Sequence, residues 1–147
     1  MASFKRFEDI EAWKLGRELN RLIYAATPDG AFGRDFGLRD QIRRASISMT
    51  SNIAEGFARR SPADFARFLT IARASSAEVC SQLYLALDLG YLSQADFDRL
   101  YRLAQRIGGS CSGLIRYFRS SSPPAAREPD EPWDSQDTNP EPRTLTL

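Results

Sequence analysis

Residues 41–60 read QIRRASISMTSNIAEGFARR, and the arginines, serines and glycine of this stretch argue at first sight against a helix. At about 100° per residue, however, its apolar and small positions fall within one narrow sector. These positions are Leu38, Ile42, Ala45, Met49, Ile53 and Gly56. Such spacing is typical of an amphipathic helix that packs one side on a protein core. The sequence therefore predicts a helix here, and the rest of its circumference needs a separate explanation.

Three more helices are predicted around it. The first runs from about Asp9 to Ala26 and ends before TPDGAFGRDFG (27–37), because the proline and glycines of that segment favour a loop. The next begins at SPAD (61–64), which supplies an N-cap serine, a proline and an acid, and it ends at Gly90. SQAD (93–96) repeats the capping pattern and starts the last helix. Their predicted core positions are Ala12, Leu15, Leu19, Leu22 and Ile23, then Phe65, Phe68, Leu69, Ala72, Ser76, Val79, Leu83 and Ala86, then Phe97, Leu100, Ala104, Ile107, Cys111, Leu114 and Phe118.

Four helices with mostly short connections and no strand-period segment predict an all-α fold, an antiparallel up-down-up-down four-helix bundle over residues 1–119. The composition changes at Ser120. Segment 120–147 holds six of the eight prolines and lacks apolar periodicity, which predicts a disordered acidic tail. Trp133 within it is a candidate docking residue for a partner, and the alternative is that a lone aromatic residue in such a tail has no specific role.

The net charge of +1 hides an asymmetry. Residues 1–122 carry 18 Lys and Arg against 13 Asp and Glu, whereas residues 123–147 carry 2 against 6. The predicted bundle is thus basic and rich in arginine, which suits phosphate ligands and intersubunit ion pairs alike. Cys80 and Cys111 fall on apolar helix faces, where free buried thiols are expected rather than a disulfide or a metal site. With no signal peptide and no long apolar run, a cytoplasmic location without a membrane partner is expected.

The second and third helices carry outward residues that a monomeric bundle does not need. On the second, Ile47 and Ala54 lie opposite the core stripe, and one flank sets small residues between opposite charges. On the third, aliphatic positions form a second stripe interrupted by polar ones. Such surplus positions favour burial against another subunit, although a large core with a few exposed aliphatic residues is the alternative. The predicted subunit interface comprises Arg44, Ile47, Ser48, Ser51, Asn52, Glu55, Ile71, Arg73, Glu78 and Leu85.

Four segments carry a family resemblance, namely FEDIEAW (7–13), FGLRDQIRRASISMTSNIAEGFARRS (36–61), FARFLTIARASSAEV (65–79) and LGYL (89–92). They resemble the short bacterial four-helix-bundle proteins encoded within intervening sequences of 23S ribosomal RNA genes. The resemblance spans about Phe4 to Phe118 and implies a homopentamer with a central channel. It extends in fold to the accessory variability determinant (Avd) of diversity-generating retroelements, which implies nucleic acid and a reverse transcriptase as partners.

On the family pattern, Arg43, Arg44, Ser48, Asn52, Glu55 and Gly56 match the signature block, and Arg73, Ser75 and Glu78 match a motif of the third helix. The chain departs from the pattern in three ways. Extra glycines lie in segment 28–37, Ala74 replaces a usual glycine, and the long acidic tail is added. The tail puts a simple transfer of a basic-surface function in doubt.

Catalysis is not expected from this chain. It has no histidine, which removes the commonest general base, the usual zinc ligands and the Glu-x-x-His pairs of di-iron bundles. The glycines of segment 30–37 lack the lysine of a phosphate-binding loop. Glu55 and Glu78 are interpreted as structural ion-pair partners of Arg44 and Arg73, with a buried carboxylate pair as the alternative. No cofactor is expected.

Two non-catalytic functions remain. In the first, a ring of bundles binds RNA or DNA through its backbone, without sequence preference and with a strong dependence on salt. The candidate contacts are Lys5, Arg6, Arg39, Arg43, Arg59, Arg60, Arg102, Arg106 and Arg116. In the second, the oligomer is a scaffold for other proteins, and its arginines pair with acids between subunits.

Overall fold

The computed structural model of the chain describes residues 4–121. A 3₁₀ turn (Phe7–Asp9) precedes five helices, α1 (Glu11–Ala26), α2 (Gly30–Arg34), α3 (Phe36–Ala58), α4 (Pro62–Asp88) and α5 (Gln94–Ser121). The four long helices alternate in direction, and contacts run from α1 to α3, from α3 to α4, from α4 to α5 and back to α1. This arrangement confirms the predicted four-helix bundle, and no strand occurs between residues 4 and 121.

Side-chain caps set the helix boundaries where the sequence predicted them. The Ser61 hydroxyl accepts a hydrogen bond from the Asp64 backbone N–H at 3.3 Å, directly before Pro62 opens α4. The Ser93 hydroxyl accepts from the Asp96 N–H at 3.1 Å in the same way. After α4, Gly90 adopts a φ of 74°, the left-handed conformation that ends a helix at low cost for glycine.

The predicted loop between the first two long helices contains a short helix instead. Within it, Phe32 of α2 is buried and stacks on Tyr91, with ring centroids 5.3 Å apart. The Tyr91 hydroxyl donates to Asp35 Oδ2 at 2.9 Å, while Asp35 Oδ1 accepts from the Leu38 N–H and caps α3. Burial of this aromatic pair outweighs the local preference of the glycines for a loop.

Two predicted boundaries shift by two residues. α1 begins at Glu11 rather than Asp9, because the 3₁₀ turn occupies the preceding residues. α5 continues to Ser121 instead of ending at residue 119, and the predicted tail from 122 onward lies outside the described residues.

The predicted core is largely confirmed. Ile42, Met49 and Ile53 of the opening stretch are fully buried, as are most core positions of the other long helices. Near the end of α5, Ile115 is buried and Leu114 only partly so, because adjacent helical residues differ in direction by about 100°. Leu15 and Leu22 of α1 are likewise only partly buried.

Small residues bring neighbouring helices close together at three of the four contacts. A Cβ at Gly16 of α1 would lie 2.7 Å from the Thr50 methyl of α3, and one at Gly56 of α3 would lie 2.6 Å from Phe68 Cβ of α4. A Cβ at Gly108 of α5 would approach the Ser76 hydroxyl of α4 to 3.1 Å.

Two side-chain hydrogen bonds also join α1 to α3. Ser46 donates to Asn20 Oδ1 at 2.6 Å, and the Asn20 amide donates to Thr50 at 3.0 Å. Much of the unusual polarity of α3 therefore serves packing inside one protomer.

Candidate nucleic-acid interface

The predicted nucleic-acid contacts separate into three groups in space. Lys5, Arg6, Arg59 and Arg60 lie at the end of the bundle where α3 turns into α4, Arg102, Arg106 and Arg116 lie along α5, and Arg39 and Arg43 lie in the first turns of α3. No single surface therefore collects all nine.

The Arg43 side chain holds the end of α1. Its Nε donates to the Thr27 hydroxyl at 2.8 Å, and its Nη2 donates to the Thr27 carbonyl at 2.9 Å. The guanidinium also lies 4.3 Å from the centre of the Tyr24 ring. Because Thr27 is the C-cap of α1, Arg43 satisfies a carbonyl group that the helix leaves unpaired. Thr27 uses two of the five N–H donors of the Arg43 guanidinium, and a contact of Arg43 with nucleic acid stays a prediction.

Arg39 is engaged in a similar way. It donates to the Gly33 carbonyl at 3.2 Å, pairs with Asp40 at 3.0 Å and lies over the Phe36 ring. These contacts fix the connection from α2 into α3. A contact of Arg39 with nucleic acid stays a prediction.

A cleft of about 620 Å³ lies between α1 and α5, and three arginines line it. Its lining consists of Glu18, Leu22, Ala95, Asp98, Arg99, Arg102, Leu103 and Arg106. The three arginines are exposed, and Arg102 makes no hydrogen bond or ion pair with any residue from 4 to 121. Arg106 approaches Glu11 only to 4.0 Å.

Arg99 is the cleft residue that sequence reasoning missed. It stands three and seven positions before the other two arginines, a spacing that places all three on one side of a helix. That signal was present in the sequence. The sequence did not show, however, that α1 packs beside this side of α5 and that the two helices form a cleft.

The acids of the cleft reduce its positive charge only in part. Glu18 accepts a hydrogen bond from Arg21 Nε at 3.1 Å, and this bond lowers the pKa of Glu18, with a smaller contribution from Arg99. Asp98 accepts from the Gln94 amide at 2.9 Å and is the second acid of the lining. Glu18 is thus held by an arginine outside the cleft, which leaves three arginines facing a single acid without a cationic partner.

Arg116 extends the cationic side of α5 beyond the cleft. It follows Arg102 by fourteen residues, which is four turns of helix and about 21 Å along the axis. Side chains added at Gly109 or Gly113, between the two arginines, would meet nothing within 4 Å. The surface between them is therefore open to a ligand backbone.

On the α3–α4 side, two predicted interface residues are buried within the protomer. Asn52 is 0% exposed, and its amide donates to the Ser48 carbonyl at 2.8 Å and to the Ser48 hydroxyl at 3.0 Å. Ser75 of α4 donates to the same hydroxyl at 2.9 Å. The prediction that Ser48 and Asn52 face a second subunit is corrected, because both side chains are buried within the protomer and the bond from Ser75 to Ser48 joins α4 to α3.

The other predicted interface residues remain at the surface. Arg44, Arg73, Glu78 and Leu85 are exposed, and Ile47, Ser51, Glu55 and Ile71 are partly buried. Arg73 is directed toward Ser112 of α5, and we call the surface formed by the other seven residues, together with the exposed Leu89, the α3–α4 face.

The ion pairs interpreted from the sequence do not form within the protomer. Glu55 pairs with Arg59 at 3.2 Å, and the Glu78 carboxylate accepts from Gln82 at 3.2 Å. Arg73 approaches the Ser112 hydroxyl at 3.4 Å. Neither glutamate is buried, so the alternative of a buried carboxylate pair is wrong.

Comparison with known proteins identifies the family. Residues 8–113 match the model of the family described as 23S rRNA-intervening sequence protein. The chain belongs to this family. A crystal structure of a protein of unknown function from the S23 ribosomal protein family of Bacteroides thetaiotaomicron VPI-5482 is similar, with a TM-score of 0.66 and 22% identity. The match covers 71% of this chain and 98% of that one, and at this identity it supports the fold. A search among curated proteins found no match.

In this intervening sequence protein, most of the signature block serves the fold. Arg43 caps α1, Asn52 bonds to Ser48 within α3, Ser48 bonds to Ser75 of α4, and Gly56 lets Phe68 approach α3. Arg44 is exposed and makes no hydrogen bond or ion pair with residues 4–121.

The remaining chemistry of the described residues is sparse. Cys80 and Cys111 are free thiols, as predicted, and burial raises the pKa of Cys111 to about 12. Among residues 4–121, no three His, Cys, Asp or Glu side chains cluster closely enough to hold a metal ion. None of the helices in that range has the length and hydropathy needed to cross a membrane.

Proposed function

We propose that this intervening sequence protein is a non-catalytic accessory protein that binds nucleic acid through the cleft between α1 and α5. The observation that carries the proposal is the row of exposed arginines Arg99, Arg102 and Arg106 in one cleft. Guanidinium groups bind phosphate oxygens through paired donors, and a polyanion gains from several of them in a row. The donors of Arg102 are unused within the described range 4–121.

Binding in this cleft is expected to be independent of sequence. Between the arginines, the lining offers Leu22, Ala95 and Leu103 and no aromatic ring. Proteins that read single-stranded bases stack them on aromatic side chains, so this cleft suits the backbone instead. Three phosphate contacts give a slope of log K against log salt of about −2 to −3.

We also propose that the protein is a homo-oligomer, a pentamer on the family resemblance, assembled through the α3–α4 face. Leu85 and Leu89 are 47% and 49% exposed there, and burial of such side chains favours association. Because α3 packs on α1, α4 packs on α5 and α3 packs on α4, the α3–α4 side of the bundle lies opposite the cleft between α1 and α5. Assembly through it leaves every cleft free.

On the resemblance in fold to the accessory variability determinant, we propose a reverse transcriptase as a protein partner, with both proteins in the cytoplasm. The alternative function is a protein-interaction scaffold that does not bind nucleic acid. It is favoured by the exposed aliphatic residues of the α3–α4 face if these contact a different protein rather than a second copy.

The experiment is light scattering during gel filtration, combined with binding of a labelled structured RNA at several salt concentrations. Arg102→Gln removes one cleft cation, and Arg34→Gln is the matched control, because Arg34 is exposed on α2 away from the cleft. We expect Arg102→Gln to weaken binding and to reduce the salt slope by about 0.7 to 0.9, while Arg34→Gln changes neither.

Assembly is tested separately with Arg44→Glu, which reverses a charge on the α3–α4 face. We expect the mass to fall from that of an oligomer to that of a monomer while the helical content is kept. An unchanged mass would overturn the assignment of this face. An oligomer that does not bind RNA at any salt concentration would instead favour the protein-interaction scaffold.

A further inference from the structure

An aromatic pocket of about 260 Å³ lies at the end of the bundle where α3 turns into α4. Four phenylalanine rings line it, namely Phe4 before α1, Phe57 of α3, Phe65 of α4 and Phe118 of α5. The centroids of Phe65 and Phe118 lie 4.8 Å apart, and those of Phe57 and Phe65 lie 6.2 Å apart. The pocket therefore has an apolar interior assembled from every long helix except α1.

Lys5 and Arg60 belong to the same lining, which contains no acidic residue. Arg60 has a φ of 57°, a left-handed backbone conformation that disfavours residues with a Cβ and usually selects glycine after a helix. The chain thus keeps a cationic side chain at a backbone position that favours glycine. An aromatic interior beside two cations suits a ligand that combines an aromatic group with negative charge.

The chain itself contains such a ligand. Residues 128–134 read EPDEPWD, which places Trp133 among four acids with no basic residue between them. α5 ends at Ser121, three positions after Phe118, so the segment that follows starts within about one helical turn of the pocket. Trp133 is twelve positions beyond Ser121, and twelve extended residues span about 40 Å. The connection is therefore long enough for the segment to fold back.

We propose that residues 128–134 dock in this pocket, with the Trp133 indole among the phenylalanine rings and the neighbouring carboxylates beside Lys5 and Arg60. Indole is a large apolar group that gains from burial beside other rings. Attachment to α5 raises the effective concentration of the segment at the pocket to the millimolar range, so a weak contact suffices. Docking covers two of the cations predicted to bind nucleic acid. That consequence rests on the proposed function, whereas docking itself does not.

The test uses the full chain with Trp13→Phe, which leaves Trp133 as the sole tryptophan. We expect a blue-shifted emission maximum at low salt and acrylamide quenching several-fold weaker than that of a free peptide with the sequence of residues 122–147. Adding Lys5→Glu and Arg60→Gly should shift the emission to the red and restore quenching to the peptide value. Arg60→Gly relieves the left-handed backbone, so loss of docking in this variant does not arise from unfolding. Arg34→Glu combined with Arg21→Gln lowers the net charge by the same three units outside the pocket lining, and this control should leave both signals unchanged.

A second readout keeps Trp13 in place. Lys5→Cys combined with Asp134→Cys should form a disulfide within one chain under mild oxidation, which non-reducing gel electrophoresis and mass spectrometry detect. The proposal would be overturned if acrylamide quenches Trp133 as strongly as the free peptide and no intrachain disulfide forms. Disulfides only between chains would overturn it in favour of docking on a second copy. Neither readout contains RNA, so failure of cleft binding does not affect the result.

Discussion

Replacing Gly56 by alanine is expected to destabilise the bundle, although alanine is the better helix former. A Cβ at this position would lie 2.6 Å from Phe68 Cβ and 3.0 Å from Phe65 Cδ2. The Phe68 Cβ is fixed to its backbone, so α3 and α4 must separate by about 1 Å to restore ordinary carbon contacts. Overpacking of this kind costs about 1–3 kcal/mol, which exceeds the gain of about 1 kcal/mol in helix propensity. We expect a net loss of up to about 2 kcal/mol.

Urea unfolding followed by far-UV circular dichroism measures this loss. The protein concentration must be held constant, because assembly contributes to the apparent stability. Gly109→Ala is the matched control, since a Cβ at Gly109 would meet nothing within 4 Å, and this variant should gain about 0.5–1 kcal/mol. Equal stability of the two variants, or a Gly56→Ala protein more stable than the wild type, would refute the close contact between α3 and α4.

Three further predictions concern buried polar groups. Arg43→Met removes the donors to Thr27 and should cost about 1.5–3 kcal/mol in urea unfolding, and an unchanged midpoint would contradict the capping role. Burial raises the pKa of Cys111 to about 12, so the unfolded thiol loses its proton near pH 9 while the folded one keeps it. Stability should therefore fall by about 1.4 kcal/mol per pH unit between these values, with a shallower slope for Cys111→Ala. Asn52→Asp replaces the donor to the Ser48 carbonyl by an acceptor and should cost about 3 kcal/mol or more at pH 7. The loss should shrink in unfolding experiments near pH 4, where a protonated carboxyl donates again.

Local chemistry was enough to predict the four long helices and most of their boundaries. The serines at positions 61 and 93 bond to backbone groups three residues away, so their role is visible within a few letters of sequence. The fully buried stripe of α3 follows equally from its helical period. These features depend on contacts between residues close in sequence, so they can be predicted from one sequence alone.

Features that depend on distant residues were missed or misinterpreted. The helix α2 exists because Phe32 packs on Tyr91, fifty-nine residues later, while the glycines around it argue for a loop. The sequence shows that Arg43 is a cation but not that the Thr27 carbonyl lies within its reach. Ser48 is a small polar residue on a helix flank, and only the position of Ser75 shows that this flank is internal. In each case the missing information was a tertiary contact, not a chemical property of the residue.

The spacing between neighbouring helices explains why the cleft lies between α1 and α5. A square bundle has four helix–helix contacts, and glycine or serine draws the helices together at three of them, through Gly16, Gly56 and Gly108. Between residues 4 and 121, no glycine makes such a contact between α1 and α5. There the partly buried Leu22 and Leu103 leave an open cleft, and long arginine side chains occupy its rim. Substitutions at the three tight contacts should therefore change stability first, whereas substitutions along the fourth should change ligand binding while the fold is kept.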